Sequence, residues 1–255
     1  MSGLSKNKIK LIRSLESKKH RVETGLFVAE GNKLVADIFP FFDCELLIAK
    51  SSWMATQGDL SVREWIVAED DDISKASLLK NPQDVIAVFA QPNRCLEKKN
   101  LKNELTLVLD GIQDPGNLGT IIRLADWFGI RNVICSPDTV DVYNPKTVQA
   151  SMGGIAHVQV FYEPLSALLD ELKNIPIYGT FLNGKVLYEE KLPSVGLIVM
   201  GNEGNGIRPE VEQRITNRLH IPNFPLGVES TESLNVAVAT AIVCAEFRRQ
   251  QVYSG

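Results

Sequence analysis

The sequence predicts an α/β protein, with a mostly parallel sheet in its C-terminal part and a smaller α/β domain before it. Three observations carry this expectation. Near-continuous apolar runs such as LTLVLD (105–110) and LIVM (197–200) suit strands covered on both faces, as in parallel sheets. These runs alternate with helical stretches such as TIIRLADWFGI and PLSALLDELKN, which call for right-handed crossovers. Ahead of Pro92, the shorter runs LFVAE, CELLIAK, EWIVAE and DVIAVFAQP mark a second, smaller set of strands. The expected division is residues 1–92, a polar and basic linker at 93–104 (NRCLEKKNLKNE), and a larger domain at 105–255.

In chain order, KNKIKLIRSLESKKHR places Ile9, Ile12 and Leu15 at helical spacing and reads as a helix with a basic face running into a basic turn. Between Lys6 and Lys33 there are eight Lys or Arg (Lys6, Lys8, Lys10, Arg13, Lys18, Lys19, Arg21, Lys33) against Glu16, Glu23 and Glu30. This local excess is either a solvated helix face or a contact for a polyanion. NKLVADIFPFF is a helix between strands, and the acidic cluster Glu69 to Asp72 reads as a solvated turn.

After LTLVLD, GIQDPGNLG turns the chain into a helix with Ile121, Leu124 and Phe128 on one face. NVICSPD and the end of NPKTVQASMGGIAHVQVFY give further strands, and IPIYGTFLNGKVLYE gives a strand and turn. LIVM then breaks into GNEGNG, three glycines in six residues, where a buried strand delivers a loop that lets backbone N–H groups approach a ligand. A short helix and a bend at Ile221-Pro222-Asn223 follow. Ser233 stands in an N-cap position before the small, apolar helix VAVATAIVCAEF.

This arrangement builds a pocket lined largely by main chain, either for a nucleotide-like ligand or as the tightly wound end of a sheet. Asn117, Gly119 and Arg123 sit at a strand-to-helix turn, where a helix N-terminus and a forked cation suit a phosphate; the plainer alternative is a capped helix with a surface Arg. Glu203 is the one acid of the second loop. It is placed either to bind a ligand hydroxyl or to satisfy backbone donors.

Composition narrows the choices. The net charge of −4 gives no global nucleic-acid signature, so an RNA partner would be held by local patches. Four scattered cysteines without a CxxC pair and three histidines argue against a metal site. With no apolar signal core and no run near the roughly 18 apolar residues of a membrane span, a reducing cytoplasm is expected. Neither Gly-rich loop continues into Lys-Ser or Lys-Thr, and neither a GxGxxG fingerprint nor a GxSxG elbow is present.

Three segments together, DPGNLGTIIRLADWFGI, VMGNEGNGI and IPN…ESLNVAVATAI, in this order, resemble the three motifs of the SpoU/TrmH class of RNA 2′-O-ribose methyltransferases in the SPOUT superfamily. The basic N-terminal helix, LFVAEG and NPQDVIAVF are similar to the appended RNA-substrate domain of that class, so the resemblance spans the chain. It implies S-adenosylmethionine as methyl donor, a C-terminal trefoil knot, a homodimer with its active site beside the subunit interface, and a structured RNA substrate, foremost ribosomal RNA. By motif, Asn117, Arg123, Glu203, Ser233 and Asn235 are the implied catalytic set. Cofactor contacts are implied at Thr180, Leu182, Gly201, Ile221 and Leu234, with no metal. A guanidinium stays protonated, so Arg123 is expected to hold RNA phosphate and to stabilise the developing alkoxide while the other four shape the site. The chain departs from the pattern in carrying nine residues, NFPLGVEST, between Pro222 and Glu232, a longer loop over the cofactor pocket than the family's usual one. The alternatives are an RNA-binding or ribosome-assembly protein that keeps this fold without turnover, and a nucleotide-dependent enzyme using the Gly loops for phosphates.

Overall fold

The computed structural model describes residues 4–225 and 233–253. It separates into two compact units: Met1–Asn93 with Asp141–Ala156, and Arg94–Val140 with His157–Gly255.

The first unit runs α1 (Lys6–Ser14), α2 (Lys18–Thr24), β1 (Leu26–Glu30), α3 (Asn32–Ile38), β2 (Cys44–Ala49), α4 (Ser51–Met54), β3 (Trp65–Val67), α5 (Asp70–Ala76) and β4 (Val85–Ala90). Its sheet has the order β1-β4-β2-β3, with β4 antiparallel to β1 and β2, and β3 parallel to β2. The expected apolar face of the first helix forms: Ile12 and Leu15 are buried with Val28, Ile48, Ile86 and Val88. Each such side chain contributes about 1.5–3 kcal/mol of burial.

The basic turn expected after the first helix is instead a second helix. Leu15 N–H bonds to Ile12 O at 3.1 Å, a tighter closing turn, and Ser17 starts the second helix. The acidic cluster is also helical. Asp70, Asp71 and Asp72 fill the first turn of α5, where the helix dipole favours carboxylates. Nor is the whole basic segment available to a polyanion. Arg21 is buried, with Nε 2.8 Å from Asp141 Oδ2 and Nη1 bonded to Leu15 O and Glu16 O. Lys8 is paired with Glu64, and Lys33 lies 2.5 Å from Asp37.

The second unit contains β5 (Leu105–Asp110), α6 (Pro115–Trp127) and β6 (Asn132–Cys135). The chain then gives α7 (Pro145–Ser151) to the first unit, and returns as β7 (Gln159–Tyr162), α8 (Leu165–Glu171), β8 (Ile177–Val186), β9 (Gly196–Gly201), α9 (Pro209–Glu212), β10 (Asn217–His220) and α10 (Val236–Tyr253). The six described strands are parallel throughout, in the order β10-β8-β9-β5-β6-β7. Val108, Ile134, Ile177, Leu197 and Val199 meet Leu165, Leu168 and Leu169 of α8 in the core.

This packing departs from the expected domain boundaries in two places. Residues 141–156, assigned by sequence order to the larger domain, pack within the first unit: Val148 and Ile155 are buried, and the Tyr143 ring lies 4.8 Å from that of Phe27. The stretch 93–104 is not a free linker, since Leu101 is fully buried in the core of the second unit and Lys98 bonds Glu171 at 2.7 Å. Strand β10 was not expected either. Of the long loop at 223–231, residues 226–231 lie outside the described residues.

Candidate active site

In a parallel α/β sheet the crevice for a ligand lies outside the carboxyl ends of the strands. Asp110 ends β5 directly opposite Gly201, which ends β9, and Gly179 of β8 stands opposite Val199 of β9. The loops that follow these strands, together with the start of α10, bring the first, second and third motifs to one place.

Each loop is fixed by its own local chemistry. At α6, Asp114 is the N-cap and accepts from Asn117 N at 2.7 Å, with Pro115 in the first turn. In the second loop a Cβ on Gly201 would fall 2.3 Å from the Gly206 carbonyl carbon, so only glycine fits there. Asn202 and Gly206 exchange backbone hydrogen bonds of 3.0 and 2.9 Å, and Asn202 Oδ1 accepts from Gly204 N and Asn205 N. Asn202 Nδ2 then donates to Gly111 O at 2.8 Å, tying the loop to the end of β5. At α10, Asn235 Oδ1 accepts from Ala237 N at 3.0 Å and Val238 N at 3.3 Å. The cap is therefore Asn235, not Ser233, which is exposed two residues earlier.

Three of the five expected catalytic residues form one hydrogen-bonded chain. Asn117 Nδ2 donates to Glu203 Oε1 at 2.6 Å, and Asn235 Nδ2 donates to Asn117 Oδ1 at 3.0 Å. Capping settles the orientation. With its oxygen committed to α10, Asn235 can present only N–H to Asn117, which leaves Asn117 only N–H to present to Glu203. Arg123 lies apart, six residues along α6 from Asn117. It is exposed, and among the described residues its side chain has no hydrogen bond or ion pair.

Of the expected cofactor contacts, Gly201 ends β9, Ile221 directly follows β10, and Thr180 and Leu182 lie in β8. The pairing of β10 with β8 jumps there: Arg218 faces Gly179, but Leu219 faces Lys185, so Thr180 to Gly184 leave the ladder. Thr180 Oγ1 rests 3.9 Å from Met200 Sδ, and the Arg218 guanidinium lies 3.6 Å above the Phe181 ring. Leu182 is 75% exposed and Leu234 46%. Main chain at the ends of β9 and β10 and in the part of β8 that leaves the ladder, together with two uncovered leucines, fits a ligand with a flat heterocycle and an aliphatic arm, as S-adenosylmethionine has. Among the described residues no group of three or more His, Cys, Asp or Glu could hold a metal.

Sequence reasoning missed one ion pair. The Asp110 side chain, with no exposed area, accepts from Arg208 N at 2.8 Å and Arg208 Nε at 2.7 Å. Arg208 also lies 3.3 Å from Asp138, whose carboxyl is held below the usual range by the Ser136 hydroxyl and by this guanidinium. No local pattern announces a pair 98 residues apart.

Known proteins share this fold. Residues 104–245 match the SpoU rRNA Methylase family, and residues 6–87 match the MRM3-like substrate binding domain. The 23S rRNA (guanosine(2553)-2′-O)-methyltransferase RlmP of Bacillus subtilis is 32% identical over 94% of this chain and 96% of its own length. Among solved structures, a TrmH-family protein of Porphyromonas gingivalis superposes with a TM-score of 0.88 at 42% identity, covering 98% of this chain and all of that one. The AdoMet-bound rRNA methyltransferase of Sinorhizobium meliloti gives 0.82 at 29% identity, with 99% and 98% covered.

Proposed function

The chain belongs to the SpoU rRNA methylase family, and on that premise we propose that it transfers a methyl group from S-adenosylmethionine to a ribose 2′-hydroxyl of ribosomal RNA. The observation that carries the reading is the Glu203–Asn117–Asn235 chain, which joins all three motifs at the carboxyl end of the sheet. S-adenosylmethionine would supply a methyl carbon made electrophilic by its sulfonium; the S–CH3 bond breaks as the O–CH3 bond forms, the neutral thioether S-adenosylhomocysteine leaves, and the hydroxyl proton is released to solvent. Thr180, Leu182, Gly201, Ile221 and Leu234 hold the cofactor by main chain and apolar contact.

The remaining work is positioning and charge. In-line attack requires the oxygen at about 3 Å from the methyl carbon, and holding it there removes much of the barrier. Glu203 has one oxygen bonded to Asn117, and the other accepts from the ribose. Ser233 and Asn235 shape the wall of the site. Arg123, exposed and free of ion pairs among the described residues, holds RNA phosphate and stabilises the developing alkoxide.

The first unit serves as the RNA-substrate domain, through Lys6, Lys10 and Lys18, which no ion pair engages among the described residues. Such phosphate contacts position the substrate without reading its sequence. The C-terminal part carries the trefoil knot. Two copies associate through α6 and α10, supported by the exposed Trp127 and Val238 on those helices. No described helix is long and apolar enough to cross a membrane; with a ribosomal RNA substrate, the working compartment is the cytoplasm.

The test uses labelled S-adenosylmethionine and ribosomal RNA, with ribose methylation mapped in cells with and without the protein. Transfer by the wild type and loss in Arg123→Ala are expected. Full transfer by Arg123→Ala would remove that residue from the site. Absence of S-adenosylmethionine binding in calorimetry would leave a non-catalytic RNA-binding protein.

A further inference from the structure

Resting on the methyl-transfer reading above, we infer that Asp110 and Arg208 are a positioning pair that holds Glu203 against Asn117. Beyond the Asn202 and Gly206 pairing, the loop carrying Glu203 has no ladder of its own among the described residues. Its position depends on what its two ends are tied to.

Both ends are tied to residues 110 and 111. At the leading end, Asn202 Nδ2 bonds Gly111 O at 2.8 Å. At the trailing end, the Asp110 carboxylate takes Arg208 N at 2.8 Å, Nε at 2.7 Å, and Nη2 as well. Four residues after Asp110, Asp114 caps the helix that carries Asn117. The distance between Glu203 and Asn117 is thus set through one short path of main chain and one forked ion pair.

The pair resists loosening because the carboxylate is wholly buried and Arg208 is its cation, so separating them would leave an uncompensated charge. Asp138 at 3.3 Å and Glu210 at 3.8 Å also face the guanidinium. With three carboxylates around it, Arg208 is a strut for the loop and not a cation presented to RNA. Lysine can replace its charge but not its Nε and Nη2 fork.

The test uses the full chain with S-adenosylmethionine and its RNA, comparing wild type, Arg208→Met, Arg208→Lys, Glu203→Gln and the Glu203→Gln/Arg208→Met double variant. For Arg208→Met we expect kcat to fall about tenfold to a hundredfold, the scale of a slightly displaced site group, with KM for RNA unchanged. Arg208→Lys should lie between. Amide hydrogen exchange without cofactor should quicken at Gly204, Asn205 and Gly206 in both variants. Because Arg208 acts through Glu203, the double variant should be no slower than Glu203→Gln alone. Wild-type kcat in folded Arg208→Met, or losses that multiply in the double variant, would overturn the inference. Should Arg208→Met fail to fold, Arg208→Lys and its own double with Glu203→Gln carry the same test. A wild-type chain that transferred no methyl would sink the functional reading instead, and unchanged exchange in the variant loop would still sink the pair.

Discussion

Asn235 donates its Nδ2 hydrogen to Asn117 Oδ1 at 3.0 Å, between residues 118 positions apart, while its own Oδ1 caps α10. One carboxamide therefore ends a helix and sets the orientation of a second carboxamide in the site. Asn235→Asp separates the two tasks, because Asp caps a helix as well as Asn but brings no N–H to Asn117. The Asn117 amide would then turn its N–H toward the new carboxylate and its oxygen toward Glu203. We expect stability within about 0.5 kcal/mol of wild type, as for a cap that is kept, and methyl transfer reduced by about tenfold or more. Thermal melting and a methyl-transfer assay on one preparation check both. Equal transfer by the variant would mean that Glu203 does not need its Asn117 donor.

A second expectation concerns Arg21. Its guanidinium carries Asp141 at 2.8 Å and the carbonyls of Leu15 and Glu16, all in the first unit. Arg21→Met leaves these acceptors behind, and the loss of stability should be about 3–5 kcal/mol, the usual cost of breaking a buried pair. Arg21→Lys should recover only part of it, since the ammonium lacks the fork. Urea denaturation of the full chain measures this, and a loss below about 1 kcal/mol would place Arg21 among ordinary surface charges.

Thiol chemistry offers an inexpensive check on the packing. Cys44, Cys135 and Cys244 are buried, and burial pushes the Cys44 and Cys244 thiols up to about 12, whereas Cys95 is exposed. The thiolate is the reactive form. In native protein at mildly alkaline pH, one thiol should react rapidly with an aromatic disulfide reagent and the others only after denaturant is added. Rapid reaction of more than one would contradict the burial of the three.

Glu30 gives the pH dependence a sign. Burial raises its pKa above 4.5, against the opposing hydrogen bonds from Ser77 and from Leu78 N at 2.8 Å. The folded chain then keeps the proton after the unfolded chain has released it. The contribution is fully present below 4.5 and is lost as pH rises through the folded pKa. Glu30→Gln cannot ionise, so denaturant melts at a series of pH values from 4.5 upward should show the variant gaining on wild type. A constant difference across that series would show that Glu30 titrates at its ordinary value.

Much of the second unit was legible because its central strands, β5, β6 and β9, are buried on both faces. LTLVLD holds to the residue as β5, and LIVM forms the body of β9, which runs one glycine further at each end. Strand β10 escaped notice because NRLH buries only Leu219 and sits at the sheet edge, leaving no apolar run to read. Ser233 and Asn235 are both good caps, and only the direction of the chain into α10 chooses between them. The motifs named Asn117, Glu203 and Asn235 but not their hydrogen bonds, which need partners from three separate loops. Asp110 and Arg208 carry no pattern at all, for the same reason.

The assignment of residues 141–156 to the first unit bears on how this protein can be recombined with its relatives. A single crossover near residue 93 would give a chimera whose borrowed first unit lacks its own Asp141 and Tyr143, while the retained 141–156 segment keeps faces shaped for a sheet no longer present. Exchange of the whole unit takes three junctions, near 93, 140 and 156. Substitutions at Arg21 and Phe27 accordingly act on contacts with positions more than a hundred residues downstream, Asp141 and Tyr143, and a graft of the first unit must travel as two pieces of gene.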